Sequence, residues 1–174
     1  MTTTFITEHR LKNIKMLILD IDGVLTDGRI YLLPDGNEVK VFNTLDGHGI
    51  KMLQRAGVEV AVISGRSSPA AEHRMQQLGV QHYYSGVTNK IAAFKELLKK
   101  THITAEECAY VGDDLPDLPI MNEVGFCAAP PNACEAVLHS AHFITRKGGG
   151  EGAVREICDF IIAAQNMDTE PFLA

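Results

Sequence analysis

Leu17-Ile18-Leu19-Asp20-Ile21-Asp22-Gly23-Val24-Leu25-Thr26-Asp27 sets an apolar run directly against two aspartates spaced two positions apart. In an extended chain, side chains at i and i+2 point to the same side. Asp20 and Asp22 therefore face one spot at the end of a buried strand. Two carboxylates held together strain each other unless a cation or a shared proton relieves them. The pair predicts a divalent metal and a chemical role. The plain alternative is a strand that ends in a polar turn, with both aspartates solvated. The rest of the chain decides between the two.

Outward from this run, short apolar stretches alternate with amphipathic ones. Strands are predicted at 16–21, 58–63, 109–111 and 125–128, with weaker signals at 82–84 and 142–144. Helices are predicted at 47–55, 70–78, 90–99, 117–122, 133–138 and 153–164. Continuous apolar strands spaced by helices indicate an α/β fold, a mostly parallel sheet with helices on both faces. One segment breaks the alternation. Residues 29–33 and 38–42 flank Pro34-Asp35-Gly36-Asn37, a composition suited to a short turn, and read as a protruding β-hairpin over about 29–42. Its apolar face must fold back on its own domain or meet a copy of itself, because paired strands left open seek partners. The expectation is an oligomer.

The chain has 174 residues, 45% of them apolar, enough for one domain with a full core. A single domain over 1–174 is expected, with a tail from about 166 to 174. The net charge of −6 speaks against nucleic acid as a partner. Met1-Thr2-Thr3-Thr4-Phe5 lacks the basic-then-apolar pattern of a signal peptide, and no apolar run approaches the ~20 residues of a membrane span. Cys108, Cys127, Cys134 and Cys158 form no CxxC pair and read as small hydrophobes. The expected location is the cytoplasm, with no membrane contact.

In an open α/β sheet, ligands gather beyond the carboxyl ends of the strands. After 16–21 stand Asp20 and Asp22; after 58–63, Ser64-Gly65-Arg66. Lys90 opens the helix that follows 82–84. After 109–111 comes Gly112-Asp113-Asp114-Leu115-Pro116-Asp117. Alone, Ser64 is a turn residue and Lys90 a solvated helix lysine. Together the set suits phosphoryl transfer. An aspartate can attack phosphorus, and a second carboxyl can protonate the leaving oxygen and then activate water. Lys, hydroxyl donors and Mg²⁺ can stabilise the charge on the equatorial oxygens.

The pattern Asp20-x-Asp22-Gly23-Val24-Leu25-Thr26-Asp27, Ser64, Lys90 and Gly112-Asp113-Asp114-x-x-Asp117 resembles the haloacid dehalogenase superfamily of phosphohydrolases, over about 16–117. The resemblance implies a Rossmann-like fold with Asp20 as nucleophile and Asp22 as general acid/base. It further implies Ser64 and Lys90 as phosphate ligands, and Mg²⁺ held by Asp20, Asp113 and the main-chain carbonyl of Asp22. Asp114 is a candidate support for the metal's waters and Asp117 a candidate orienter of Lys90; helix capping is the alternative for both. Asp at position 22 favours a phosphatase over the superfamily's ion pumps and dehalogenases. No cap domain is predicted, since the intervals from Asp27 to Ser64 and from Ser64 to Lys90 are short.

A narrower resemblance covers about 11–165. The hairpin, Phe42-Asn43-Thr44-Leu45-Asp46-Gly47-His48-Gly49-Ile50, Ile63-Ser64-Gly65-Arg66, and 148–156 with its glycine run resemble the 3-deoxy-D-manno-octulosonate 8-phosphate phosphatase family. This implies a small sugar phosphate as substrate, lipopolysaccharide biosynthesis as setting, and a homotetramer in which neighbouring subunits cover each active site. Arg66, two residues beyond Ser64, is the candidate for the sugar's carboxylate, because a guanidinium binds carboxylate bidentately; a local surface salt bridge is the alternative. Arg66 favours the octulosonate over a nine-carbon sugar acid 9-phosphate, the second substrate reading, whereas Asn43-Thr44 resembles the nine-carbon branch. Leu45 stands where the family often has Arg. The glycines of 148–152 can hold an anion at a helix start or merely permit turns. His48 reads as solvated or as touching substrate. Two readings of another class are a phosphoaspartate receiver and a non-catalytic binding protein. The order of the acidic motifs and the presence of Asp22 speak against the first, and the filled motif positions against the second.

Overall fold

The computed structural model of the chain describes residues 9–168. The run that opens the argument becomes β1 (Met16–Leu19), every residue of it buried. A strand buried on both faces needs apolar side chains in both directions, and this one has them. Parallel partners flank it. Leu17 pairs with Val60 of β4 (Glu59–Ile63) and with Ala109 of β6 (Cys108–Val111). With β5 (His82–Tyr84), β7 (Phe126–Ala129) and β8 (Phe143–Ile144) the strands form one six-stranded sheet in the order β5-β4-β1-β6-β7-β8, parallel at every pairing.

Alternate strand residues feed two cores. Leu17, Leu19, Val60, Val62, Ala109 and Val111 pack under α1 (Thr44–Arg55), α2 (Pro69–Leu78) and α6 (Ala153–Ala164). Met16, Ile18, Ala61, Ile63 and Tyr110 pack under α3 (Lys90–Thr101), α4 (Leu118–Met121) and α5 (Glu135–Ser140). Each fully buried aliphatic side chain stabilises the fold by about 1.5–3 kcal/mol. Cys108, Cys127 and Cys158 lie in these cores and Cys134 at their edge, all as free thiols. The chain runs outward from β1 through β4 to β5, then returns to β6 on β1's other side. That reversal opens a crevice at the carboxyl ends of β1 and β6.

The boundaries move for local reasons. Helix α1 starts earlier than predicted because Asn43 caps it, its Oδ1 accepting the Leu45 N–H at 2.8 Å. The predicted helix 117–122 divides into a 3-10 turn, Leu115–Asp117, followed by α4. Pro116 and Pro119 lack an N–H and fit only in first turns. The hairpin is much shorter than predicted. Its ladder holds only Tyr31–Leu32 (β2) and Glu38–Val39 (β3), with Tyr31 opposite Val39 and Leu32 opposite Glu38. Among the described residues no third strand supports it, and an isolated two-stranded ribbon is marginal. Among the described residues no cap domain interrupts the sheet, and no helix is long and apolar enough to cross a membrane. The far end of the predicted tail, from 169 on, lies outside the described residues.

Candidate active site

Asp20 follows β1 directly and is buried; Asp22, two residues on, is half-buried. Gly23 turns the chain with φ +86°, and a Cβ there would run into the Asp113 carboxylate. This position thus needs glycine twice, for its conformation and for the space it leaves to a second acid. Thr26 Oγ1 accepts the N–H groups of Gly23 and Gly28 at 3.4 and 3.3 Å and fixes the turn.

Lys90 is the first residue of α3, set there by Asn89, whose Oδ1 accepts the Ala92 N–H at 3.2 Å. Its Nζ donates to Asp117 Oδ1 at 2.6 Å and lies 3.1 Å from Asp20 Oδ2. Asp117 is fully buried. Its Oδ1 also accepts from the Tyr110 hydroxyl at 2.7 Å, and its Oδ2 accepts the N–H groups of Asp113 and Asp114 at 2.9 and 3.1 Å. Asp117 thus contacts both Lys90 and the turn that presents Asp113. The Asp114 side chain caps its own 3-10 turn, accepting the Leu115 N–H at 2.8 Å.

Ser64 is buried at the end of β4, its Oγ facing the Arg66 N–H at 3.4 Å. Asp20, Asp22, Ser64, Arg66, Lys90 and Asp113 line one cleft of about 380 Å³, with Ile30 and Thr88 on its walls. A cleft of this size suits a small ligand.

The acids are crowded. Burial pushes the Asp20 carboxyl up to about 7, against the pull of Lys90 and with repulsion from Asp117. Burial and then Asp20 and Asp117 push Asp113 to about 7 as well. Burial works against the Lys90 ammonium, yet Asp20 and Asp117 outweigh it and raise its pKa above the ordinary lysine value. One oxygen from each of Asp20, Asp113 and Asp117 lies within 4.8 Å of the others. Hard oxygen donors carrying excess negative charge fit Mg²⁺. The four donors already on Asp117 leave it little capacity, so Asp20 and Asp113 are the side chains free to hold the ion.

A second set of charges was not foreseen from the sequence. Lys40 Nζ binds Asp22 Oδ1 and lies 3.5 Å from Glu38 Oε1. Arg66 binds Glu38 through Nη2 at 2.8 Å and approaches Asp22 Oδ2 through Nε at 3.5 Å. Asp22, Lys40, Glu38 and Arg66 form a closed ring of alternating charge. The alternation of 38–41 was legible as a strand, but nothing in it told that its polar side returns to Asp22.

Other expectations resolve outside the cleft. Gly149 and Gly150 lie against the backbone of 23–27, Gly149 N–H donating to Asn132 Oδ1 at 2.8 Å while Asn132 Nδ2 donates to Gly23 O at 2.9 Å. The glycine run thus braces the Asp22 turn from behind. Asp46 caps α6, accepting the Arg155 N–H at 2.8 Å. His48 is exposed on α1, and Leu45 lines a separate groove with Arg155 and Phe160.

A family model described as haloacid dehalogenase-like hydrolase matches residues 30–125. The chain belongs to this family. Among relatives of this haloacid dehalogenase-like hydrolase, the 3-deoxy-D-manno-octulosonate 8-phosphate phosphatase KdsC of Escherichia coli K12 is 47% identical over 156 residues, 90% of this chain and 83% of that protein. The crystal structure of the phosphatase of that name from Yersinia pestis superposes with a TM-score of 0.91 at 44% identity, covering 92% of this chain and 87% of its own. The Moraxella catarrhalis phosphatase, solved with magnesium, phosphate and KDO, gives a TM-score of 0.90 at 42% identity, covering 92% of each chain.

Proposed function

We propose that this hydrolase is a Mg²⁺-dependent phosphomonoesterase that acts through a phosphoaspartate on 3-deoxy-D-manno-octulosonate 8-phosphate, releasing the sugar acid and phosphate for lipopolysaccharide biosynthesis. The observation that carries the reading is 47% identity over 90% of the chain to a phosphatase of that name. The cleft supports it, since it combines a nucleophile-and-acid pair with an arginine for a carboxylate.

The Asp20 carboxylate attacks phosphorus, and the phosphorus–oxygen bond to the sugar breaks. Asp22, protonated when the ester binds, delivers that proton to the departing oxygen and is left as a carboxylate. Asp22 then takes a proton from water, which attacks the phosphoaspartate, frees phosphate and restores Asp20. Ser64 and Lys90 hold the phosphoryl oxygens, and Asp117 keeps Lys90 aimed at them. Asp20, Asp113 and the carbonyl of Asp22 are the groups that would hold Mg²⁺, which supplies positive charge to the transferring group when bound. Arg66 receives the sugar's carboxylate. Asp114 keeps its turn in place and would support the waters of a bound Mg²⁺.

The working form in this reading is a cytoplasmic homotetramer in which a neighbouring subunit covers each cleft. The exposed apolar residues of the hairpin support it.

A phosphate-release panel tests the substrate: the octulosonate 8-phosphate, a nine-carbon sugar acid 9-phosphate, a hexose 6-phosphate and an aryl phosphate, each with Mg²⁺ and with excess chelator. The octulosonate ester is expected to give the highest kcat/KM, and chelator to abolish turnover. A higher kcat/KM for another sugar phosphate overturns the substrate, and full activity in chelator overturns the metal.

A further inference from the structure

The ring around Asp22 has a feature that bears on selectivity. Arg66, half-exposed, already carries two carboxylates of its own chain, Glu38 on Nη2 at 2.8 Å and Asp22 beside Nε at 3.5 Å. The ring pairs two basic side chains, Arg66 and Lys40, with two carboxyl groups, Glu38 and Asp22. A substrate carboxylate arriving at Arg66 would meet a guanidinium already paired with Glu38 at 2.8 Å, and like charges at such range repel. One resident carboxylate must give way. Asp22 is tied to Lys40, whose side chain is only 5% exposed. Glu38 is the movable member. Its Oε1 is buried with no hydrogen-bond donor, and Lys40 Nζ stands 3.5 Å from that same oxygen. A carboxylate that leaves Arg66 therefore has a cation at hand and is not stranded. Burial pushes the Glu38 carboxyl up, but its polar and cationic neighbours outweigh it and keep the group below the ordinary glutamate range.

We propose that Glu38 is a specificity-determining residue: it occupies Arg66 in the free enzyme and yields that place to the substrate's carboxylate, keeping Lys40 as its own partner. The proposal rests on the octulosonate reading for the identity of the incoming carboxylate. A phosphate ester without a carboxylate leaves the Glu38–Arg66 pair in place and gains nothing from Arg66.

The test compares KM and kcat for 3-deoxy-D-manno-octulosonate 8-phosphate and p-nitrophenyl phosphate in wild type, Glu38→Gln, Arg66→Met and the double variant. With the competing charge gone, Glu38→Gln is expected to lower KM for the sugar acid phosphate by about threefold to tenfold more than KM for the aryl phosphate, the range of a partly exposed ion pair. In the Arg66→Met background the same change is expected to leave that KM within about twofold, because the two sites act through one contact. A KM that stays level or rises in folded Glu38→Gln, or an equal fall without Arg66, overturns the proposal. Glu38→Asp, which draws the carboxylate back from Arg66 by one methylene, should lower KM in the same direction and serves if Glu38→Gln does not fold; a level or raised KM in it also overturns the proposal. If wild type does not hydrolyse the octulosonate ester, it is the functional reading that falls. Calorimetry with the free sugar acid then decides: tighter binding to Glu38→Gln supports the displacement, while equal affinity or no binding overturns it.

Discussion

At Asp117 one buried carboxylate serves four donors: Lys90, Tyr110 and the N–H groups of Asp113 and Asp114. Asn at this position keeps the shape but replaces one oxygen with a donor, so one pair of partners loses its acceptor. A buried donor left unpaired costs about 1–3 kcal/mol. Asp117→Asn is expected to lower kcat/KM by about tenfold to a hundredfold while leaving Asp20 chemically intact, read from initial rates on an aryl phosphate. Asp20→Asn removes the nucleophile itself and should leave a folded protein with no measurable turnover; activity within about tenfold of wild type would refute the assignment. The same crowding sets a pH dependence. Burial and crowding push Asp20 and Asp113 up to about 7 in the folded, metal-free chain, against the ordinary aspartate value of 3.8 in the unfolded one. Between those values the folded state binds more protons, so stability falls as pH rises. Melting temperature in chelator is therefore expected to fall from pH 5 to pH 8, and Asp113→Asn should flatten that fall. A melting temperature that climbs over this range contradicts the crowding.

At the scale of elements, the strand–turn unit at β1 depends on a support distant in sequence. Gly149 meets the carbonyls of Gly23 and Thr26 so closely that a Cβ has no room, and backbone cannot swing aside as a side chain can. Gly149→Ala is expected to lower the melting temperature by about 3–10 °C, the effect of about 1–3 kcal/mol of overpacking in a chain of this size. It should also reduce turnover, because the displaced turn carries Asp22. Equal stability and rate would show that the loop does not brace it. How much of this was legible follows from the range of each signal. Strand periodicity and the acidic strand endings are local, so the parallel sheet and the positions of Asp20, Asp22, Ser64, Lys90 and Asp113 around one cleft were readable. The Asn132–Gly149 brace and the Glu38–Lys40 link to Asp22 join segments far apart in sequence, and no local pattern announces such pairings. Tyr110 was read only as a strand residue, since its hydroxyl partner lies on the next turn. The hairpin arms were overread because alternation marks a strand that can form, not one with enough neighbours to persist.

For the whole molecule, the outstanding imbalance is the hairpin. Glu38 and Lys40 turn toward the cleft, while Val39 and Val41 on the alternate side remain exposed, Val41 at 62%. Tyr31 and Leu33 add to the exposed apolar surface. Open paired strands and exposed apolar surface seek partners, and in the proposed assembly a second copy of the same ribbon covers this one. Ile30 is a poor probe of that contact because it lines the cleft itself. Val41 is the better one. Val41→Asp would bury an unpaired carboxylate in the proposed assembly, at a cost of several kcal/mol per copy. The wild type is expected to sediment as a tetramer and Val41→Asp as a smaller species. The two activities should then separate. In the proposed assembly, turnover of the sugar acid phosphate relies on a covered cleft and a placed hairpin, and should fall when the assembly is lost. Turnover of a small aryl phosphate should persist better, because Asp20, Asp22, Ser64, Lys90 and Asp113 all come from one chain. A wild type that sediments as a monomer with full activity on the sugar phosphate would remove the case for a shared site.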